Sequence, residues 1–108
     1  MRQLAYNKSM EKRTPHCKLS LVKKLIEANR VRATMSAYHG AADIGIYDLE
    51  GMCAVVQALT VRDFYKSMTT HADHRTWQDV YRTHAANKPL YVKLTVIDDV
   101  LIVSFKEL

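Results

Sequence analysis

The segment 91–106 combines a phenol and two primary amines in a spacing that could do proton-transfer and phosphate chemistry. In YVKLTVIDDVLIVSFK, apolar residues alternate with a polar set: Tyr91, Lys93, Thr95, Ser104 and Lys106. A period of two residues is typical of β-strands, in which successive side chains point to opposite faces. The pattern therefore predicts a β-hairpin that collects its polar residues on one face.

The turn of this hairpin sets which residues face each other. If Asp98 and Asp99 form a two-residue turn, paired residues have numbers that sum to 197, so that Tyr91 faces Lys106. The opposite face is then apolar and is predicted to point into the core: Val92, Leu94, Val96, Leu101, Val103 and Phe105.

Tyrosine and lysine are common on the wet face of a sheet, but together they also suggest a catalytic site. A neighbouring ammonium favours the phenolate form of a tyrosine, and two lysines on one face can hold a phosphate. RNA supplies its own nucleophile, the 2′-hydroxyl group. Cleavage of RNA by internal transfer then needs a base, cations and an acid, but no metal ion.

Other candidate chemistry in the chain is weaker. His71 and His74 are spaced HxxH, which without further ligands seldom forms a zinc site. His74 is interpreted either as a proton carrier near neutral pH or as an ordinary loop histidine. The sequence contains no glycine-rich phosphate loop, no nucleophile elbow and no paired carboxylate in an apolar setting, which argues against NTP hydrolysis and glycosidase chemistry.

The basic residues are concentrated in the first third of the chain. Residues 1–32 carry nine Lys or Arg against two acids, residues 33–60 carry none against three, and residues 61–108 carry seven against six. A positive surface attracts nucleic acid, although it can also be only a solubilising surface.

Length and composition predict one domain. The 108 residues, 48% of them hydrophobic, can bury a modest core, and no apolar run is long enough to span a membrane. Cys17 and Cys53 do not form a CxxC motif and suit a reducing compartment, so a cytoplasmic protein is expected. Residues 1–9 are interpreted as a flexible tail and residues 10–108 as the folded domain.

Helical patterns occupy the first half. A helix is predicted in SLVKKLIEAN with Ser20 as its N-cap, a second from Ser36 to Gly45, and a third capped by Asp48. In the third, apolar residues recur at helical spacing: Met52, Val55, Val56 and Leu59. VRATM, between the first two helices, reads as a short strand.

Strand patterns occupy the second half, in FYKSMT, WQDVYR, YVKLTVI and VLIVSFK. Short connections between sequential strands favour an antiparallel meander. The expected fold class is α+β, with N-terminal helices packed on one face of an antiparallel sheet and the other face open.

Several stretches, MEKRTPH, EGMC, DFYKSMTT, DHRTWQDVYR and VIDDVLIVSFKE, resemble the motility quorum-sensing regulator (MqsR) toxins. The resemblance runs from Met10 to the C-terminus. It implies a RelE-like fold and a toxin of a type II toxin–antitoxin system. The implied activity is a ribosome-independent mRNA endoribonuclease that cuts at GCN-type sites by 2′-hydroxyl attack, without a cofactor or metal.

The resemblance also implies the site residues. By matching position, the catalytic residues would be Lys66, Gln78, Tyr91 and Lys106. Lys93, His74 and Arg82 are expected to contact RNA. Tyr91 would transfer a proton, the two catalytic lysines would stabilise phosphorane charge, and Gln78 would position the phosphate or a base.

Partners follow from the same resemblance: mRNA as substrate, and an MqsA-like antitoxin with a zinc-binding N-terminal domain and a DNA-binding C-terminal domain. The alternative from another class is a basic nucleic-acid-binding regulator without catalysis, which would use the helix that carries Lys23 and Lys24. A strand follows that helix, which argues against a helix-turn-helix.

Overall fold

A six-stranded sheet organises the fold of the computed structural model, which describes residues 10–108. The tail predicted for residues 1–9 lies outside this range. The strands are β1 (Glu11–Lys12), β2 (Val31–Ala33), β3 (Phe64–Thr69), β4 (Trp77–Ala85), β5 (Lys88–Ile97) and β6 (Asp99–Glu107), in the spatial order β1-β3-β4-β5-β6-β2. The predicted α+β class is confirmed, and all four strands predicted in the second half are present.

Three α-helices precede the long strands: α1 (Leu19–Glu27), α2 (Met35–Ala42) and α3 (Leu49–Gln57), with a 3₁₀ turn at Val61–Asp63. Asp48 caps α3 as predicted, because its side chain accepts a hydrogen bond from the Gly51 amide. The predicted caps of the other two helices are wrong. Ser20 lies inside α1, and Thr34 rather than Ser36 caps α2, because the Thr34 hydroxyl accepts from the Ala37 amide.

The sheet departs from a pure antiparallel meander at its two edges. β2 pairs in parallel with β6, in the register Val31 opposite Val100, and β1 pairs antiparallel with β3. Strand β1 was not predicted, since two residues are too few to show a period. Both edge strands are short, so β1 pairs with only two residues of β3 and β2 with only three residues of β6.

The β5–β6 hairpin follows the predicted register only in its outer half. Tyr91 pairs with Lys106 and Lys93 with Ser104, but the next pair is Leu94 with Ile102, so Val103 is an extra residue in β6. Between this β-bulge and the turn, the residues of β6 therefore point to the face opposite the predicted one. The turn is correspondingly tighter than predicted, with Ile97 opposite Asp99 and Asp98 at φ 66°.

Because of the bulge, the residues of β6 that enter the core differ from the predicted ones. Ile102, rather than Val103, is fully buried, and Val103 is half-buried. Thr95, predicted on the open face, is buried and its hydroxyl donates to the Trp77 carbonyl over 2.8 Å. The Val103 carbonyl accepts a hydrogen bond from the Thr34 hydroxyl. Thr34 therefore caps α2 and also provides a hydrogen-bond partner for the backbone at the bulge.

The helices pack on one face of the sheet and form a continuous core with it. Strand residues in that core include Tyr81, Leu90, Val92, Leu94, Val100, Ile102 and Phe105. Gly40 allows α2 to lie against β6, because a Cβ there would be 2.0 Å from the Phe105 carbonyl oxygen. Within residues 10–108, no helix is long and apolar enough to cross a membrane.

Candidate active site

The sheet face opposite the helices carries two cross-strand rows of mainly polar and charged side chains. One row runs Lys66, Val80, Lys93 and Ser104 over strands β3 to β6, and the next runs Arg82, Tyr91 and Lys106 over β4 to β6. Directly opposed residues have Cβ atoms about 5 Å apart, so the two rows form one patch. We call Lys66, Arg82, Tyr91, Lys93 and Lys106 the cationic face.

Val80 lies at the centre of this patch and is fully buried, although it does not belong to the core cluster under the helices. On an open sheet face, the stems of neighbouring long side chains are what can exclude water from such a residue. Its row neighbours are Lys66 and Lys93. Cover by the apolar stems of these two lysines accounts for the burial of Val80.

A second bulge, in β3, adds an aromatic ring to the patch. Phe64 pairs with Tyr81 and Lys66 with Val80, so Tyr65 is an extra residue between them. The guanidinium carbon of Arg82 lies 3.6 Å from the centre of the Tyr65 ring, a close cation–π contact. Lys66 and Arg13 lie near the same ring, at 5.5 Å and 5.6 Å.

Tyr91 sits in the middle of these charges, with the Lys106 ammonium 5.3 Å from its ring centre. Burial raises the pKa of the Tyr91 phenol, and the opposing effect of the Lys66 and Arg82 charges does not cancel it. The neighbouring cations do favour the phenolate, as expected, but their effect on the Tyr91 pKa is smaller than that of burial. Partial burial penalises the anion more than the cations stabilise it, so Tyr91 keeps its proton at neutral pH.

Lys93 shows the opposite titration behaviour. Burial lowers the pKa of its amine, and the like charges of Lys106 and Lys66 lower it further. Lys93 is therefore close enough to both other lysines for their charges to repel its own. A phosphate placed among them would relieve that repulsion, which makes the patch electrostatically suited to an anion.

A carboxylate borders the cationic face. The Lys66 ammonium donates a hydrogen bond of 2.6 Å to Glu11 Oε2, across the β1–β3 pair. The Lys66 side chain is 19% exposed and that of Glu11 is 47% exposed. The hydrogen bond from Lys66 lowers the pKa of Glu11, so its carboxylate is ionised at neutral pH.

The structure brings five of the seven residues predicted from the sequence into this patch. Gln78 alternates onto the same face, one row beyond Val80 and opposite Met68. His74 lies in the loop between β3 and β4, half-buried, with its Nε2 atom buried and without a hydrogen-bond partner. No contact described for residues 10–108 joins His74 to the cationic face.

The comparison with known proteins identifies the family. A family model described as "Motility quorum-sensing regulator, toxin of MqsA" matches residues 14–107. The chain belongs to this family. The mRNA interferase toxin MqsR of Escherichia coli strain K12 is 58% identical to it over 98 residues, which cover 91% of this chain and 99% of that protein. The resemblance noted in the sequence is confirmed.

Two residues of this patch in the MqsR-family chain were not predicted from its sequence. Tyr65 precedes Lys66, so strict alternation would place the two on opposite faces, and only the bulge brings Tyr65 beside Arg82. Glu11 lies 55 positions before its partner Lys66 in a segment without a strand pattern. Neither side chain had a local signal, because both positions depend on pairing with distant parts of the chain.

Proposed function

We propose that this MqsR-family chain is an mRNA endoribonuclease and the toxin of a toxin–antitoxin pair. The observation that supports this most directly is the gathering of three lysines and an arginine around one phenol, on a sheet face that no helix within residues 10–108 covers. Such a face fits a phosphate backbone and a developing negative charge. The similarity to a protein named mRNA interferase toxin supports RNA as the substrate class.

The proposed reaction is attack of the RNA 2′-hydroxyl on the adjacent phosphorus. Lys66 and Lys106 stabilise the extra charge of the phosphorane, and Tyr91 gives its proton to the leaving 5′-oxygen. Because its pKa is raised, Tyr91 is protonated at neutral pH and so carries the proton that this step requires. Gln78 positions the phosphate or a neighbouring base. Lys93 and Arg82 bind the RNA, and His74 contacts it from the loop between β3 and β4.

No metal ion or cofactor has a role in this scheme, because the lysines supply the positive charge and the RNA supplies the nucleophile. We also propose that cleavage is independent of the ribosome and prefers GCN-type sites in single-stranded mRNA, as the family resemblance implies. Because mRNA is the substrate, the protein is expected to act in the cytoplasm.

The test is digestion of a short single-stranded RNA containing GCA and GCU sites, with and without EDTA. Full activity in EDTA and fragments ending in 2′,3′-cyclic phosphate and 5′-hydroxyl groups are expected. A requirement for a divalent ion, or 5′-phosphate ends, would overturn the mechanism. A matched RNA with deoxyribose at the nucleotide preceding the cut should resist cleavage, since it lacks the nucleophile.

An MqsA-like antitoxin that contains zinc is the proposed protein partner. The family description names this chain's relatives as toxins of MqsA, and an unregulated ribonuclease of this kind would stop growth. Co-expression with the neighbouring reading frame, followed by affinity capture and zinc analysis, should recover a stable complex. Recovery of the free toxin in the presence of that product would count against the partnership.

The alternative, a DNA-binding regulator without catalysis, depends on the lysines of α1. Lys23 is not available for such a role, because its ammonium donates a 2.6 Å hydrogen bond to the Leu59 carbonyl. Strand β2 follows α1, so the chain has no second helix in the position that a helix-turn-helix requires. We therefore keep cleavage as the proposed function.

A further inference from the structure

The cationic face lacks an evident proton acceptor, although attack by a 2′-hydroxyl requires one. Ammonium and guanidinium groups offer no lone pair, and Tyr91 holds its proton. Among residues 10–108, two groups have a described interaction with the lysines of the patch and can accept a proton: the Glu11 carboxylate, which pairs with Lys66, and the Lys93 amine, whose burial makes its neutral form more accessible. The choice between them decides how the reaction starts.

Glu11 is placed to be that acceptor by several contacts from β1 and its neighbours. Its Cα pairs with Met68, which puts its side chain on the same face as Lys66. The strand is anchored because the Thr69 amide donates to the Met10 carbonyl over 2.9 Å and the Met10 amide donates to the Thr69 hydroxyl over 2.8 Å. After β1, the buried Asp79 carboxylate accepts from the His16 and Cys17 amides.

The ion pair with Lys66 fixes the carboxylate where a phosphate would bind. Of the ion pairs described within residues 10–108, this is the one that includes a member of the cationic face. A phosphate oxygen held by Lys66 would lie within a few ångströms of the carboxylate, because Lys66 would bridge the two. The 2′-hydroxyl is attached to the carbon next to the one that bears that phosphate.

Resting on the proposed RNA cleavage, we propose that Glu11 is the general base of the reaction and a further catalytic residue. The 2′-O–H bond breaks and its proton passes to the Glu11 carboxylate, while the O2′–P bond forms. The P–O5′ bond then breaks as Tyr91 donates its proton to O5′. The products are a 2′,3′-cyclic phosphate and a 5′-hydroxyl, and solvent returns one proton from Glu11 to Tyr91.

This assignment predicts the shape of the pH profile. The charged groups that act on Glu11 are Lys66 on β3 and Arg13 beyond β1, and both favour the carboxylate. A base that is ionised throughout this range gives a cleavage rate independent of pH from about 6 to 9. If Lys93 were the base, the rate would rise nearly tenfold per pH unit below the pKa of Lys93.

The experiment measures single-turnover cleavage by the full chain in EDTA for wild type, Glu11→Gln, Lys93→Met and the control Glu27→Gln. Glu27 is an exposed acid on α1, so its variant makes the same charge change away from the sheet face. We expect Glu11→Gln to lose about a hundredfold or more in rate with an unchanged denaturant midpoint, and its residual rate to rise with pH. The control should match wild type.

A second substrate separates the base from the acid. In an RNA with sulfur in place of the bridging 5′-oxygen, the leaving thiolate needs no proton. Tyr91→Phe should therefore recover most of its rate on this substrate, whereas Glu11→Gln should not. A loss of rate for Glu11→Gln that keeps the flat pH profile would mean that Glu11 only holds Lys66, which overturns the proposal.

Failure of this inference is distinguishable from failure of the proposed function. If wild type cleaves in EDTA and yields cyclic phosphate ends but Glu11→Gln is as fast as wild type, Glu11 is not the base and the proposed function stands. A wild-type rate that climbs with pH and is flattened by Lys93→Met would transfer the role to Lys93. If wild type does not cleave RNA in EDTA, both proposals fall.

Discussion

Tyr91 and Lys106 lie directly opposite each other across β5 and β6, with the Lys106 ammonium 5.3 Å from the centre of the Tyr91 ring. Neither side chain belongs to the core under the helices. The residues that fold the sheet and the residues proposed for catalysis are therefore different side chains on opposite faces.

Removing either functional group should affect cleavage far more than stability. Tyr91→Phe and Lys106→Ala should each lower the single-turnover rate by about a hundredfold or more, the usual scale for losing a proton donor or a transition-state charge. The free energy of unfolding should change by no more than about 0.5 kcal/mol, since neither side chain belongs to the core and Lys106 is exposed. Denaturant midpoints measured beside the rates check both parts. Unfolding of either variant would contradict this division.

The bulge in β6 can be tested by comparing adjacent residues. Ile102→Ala should cost about 2 to 4 kcal/mol, because it leaves a cavity in the core. Val103→Ala should cost about 1 kcal/mol or less, because Val103 is the half-buried extra residue. Chemical denaturation measures both. Equal costs, or a larger cost for Val103→Ala, would show that the hairpin keeps one register throughout.

The close packing of α2 on β6 predicts an inverted response to a helix-favouring substitution. In an open helix, Gly→Ala adds about 1 kcal/mol of stability. At Gly40 the new Cβ would be 2.0 Å from the Phe105 carbonyl oxygen, and backbone atoms must move to admit it. Gly40→Ala should therefore destabilise the fold by about 1 to 3 kcal/mol, as overpacking does. A raised melting temperature for this variant would contradict the observed approach of helix and strand.

Tyr81 should make the protein sensitive to alkali. Burial raises the pKa of its phenol to about 12 from 10.0. The unfolded chain therefore releases this proton at lower pH than the folded chain, and the free energy of unfolding should fall as pH rises from 10 to 12, by roughly 2 kcal/mol. Below pH 10 this contribution is fully present.

The measurement is chemical denaturation of wild type and Tyr81→Phe at a series of pH values from 8 to 12. The difference in stability between the two should shrink or reverse above pH 10, because phenylalanine does not titrate. A difference that stays constant over the whole range would show that Tyr81 has an ordinary pKa in the folded state.

Most helices and strands of this chain could be predicted from its residues, because the patterns that indicate them involve neighbouring residues only. A period of two residues marked the two hairpin strands, the loss of the helical period after Asp63 marked the two strands before them, and Asp48 marked the start of α3. The outer half of the hairpin followed as well, because side chains that alternate along a strand must divide between its faces. Tyr91, Lys93 and Lys106 were therefore placed together correctly before the fold was known.

The tertiary structure decided what those local signals do not contain. The bulges at Tyr65 and Val103 shift the faces of single residues, and each depends on a partner strand and on neighbours such as Thr34. The Glu11–Lys66 pair joins residues 55 positions apart through a strand of two residues. The pKa of Tyr91 is raised because burial outweighs nearby charge, and burial exists only once the chain has packed.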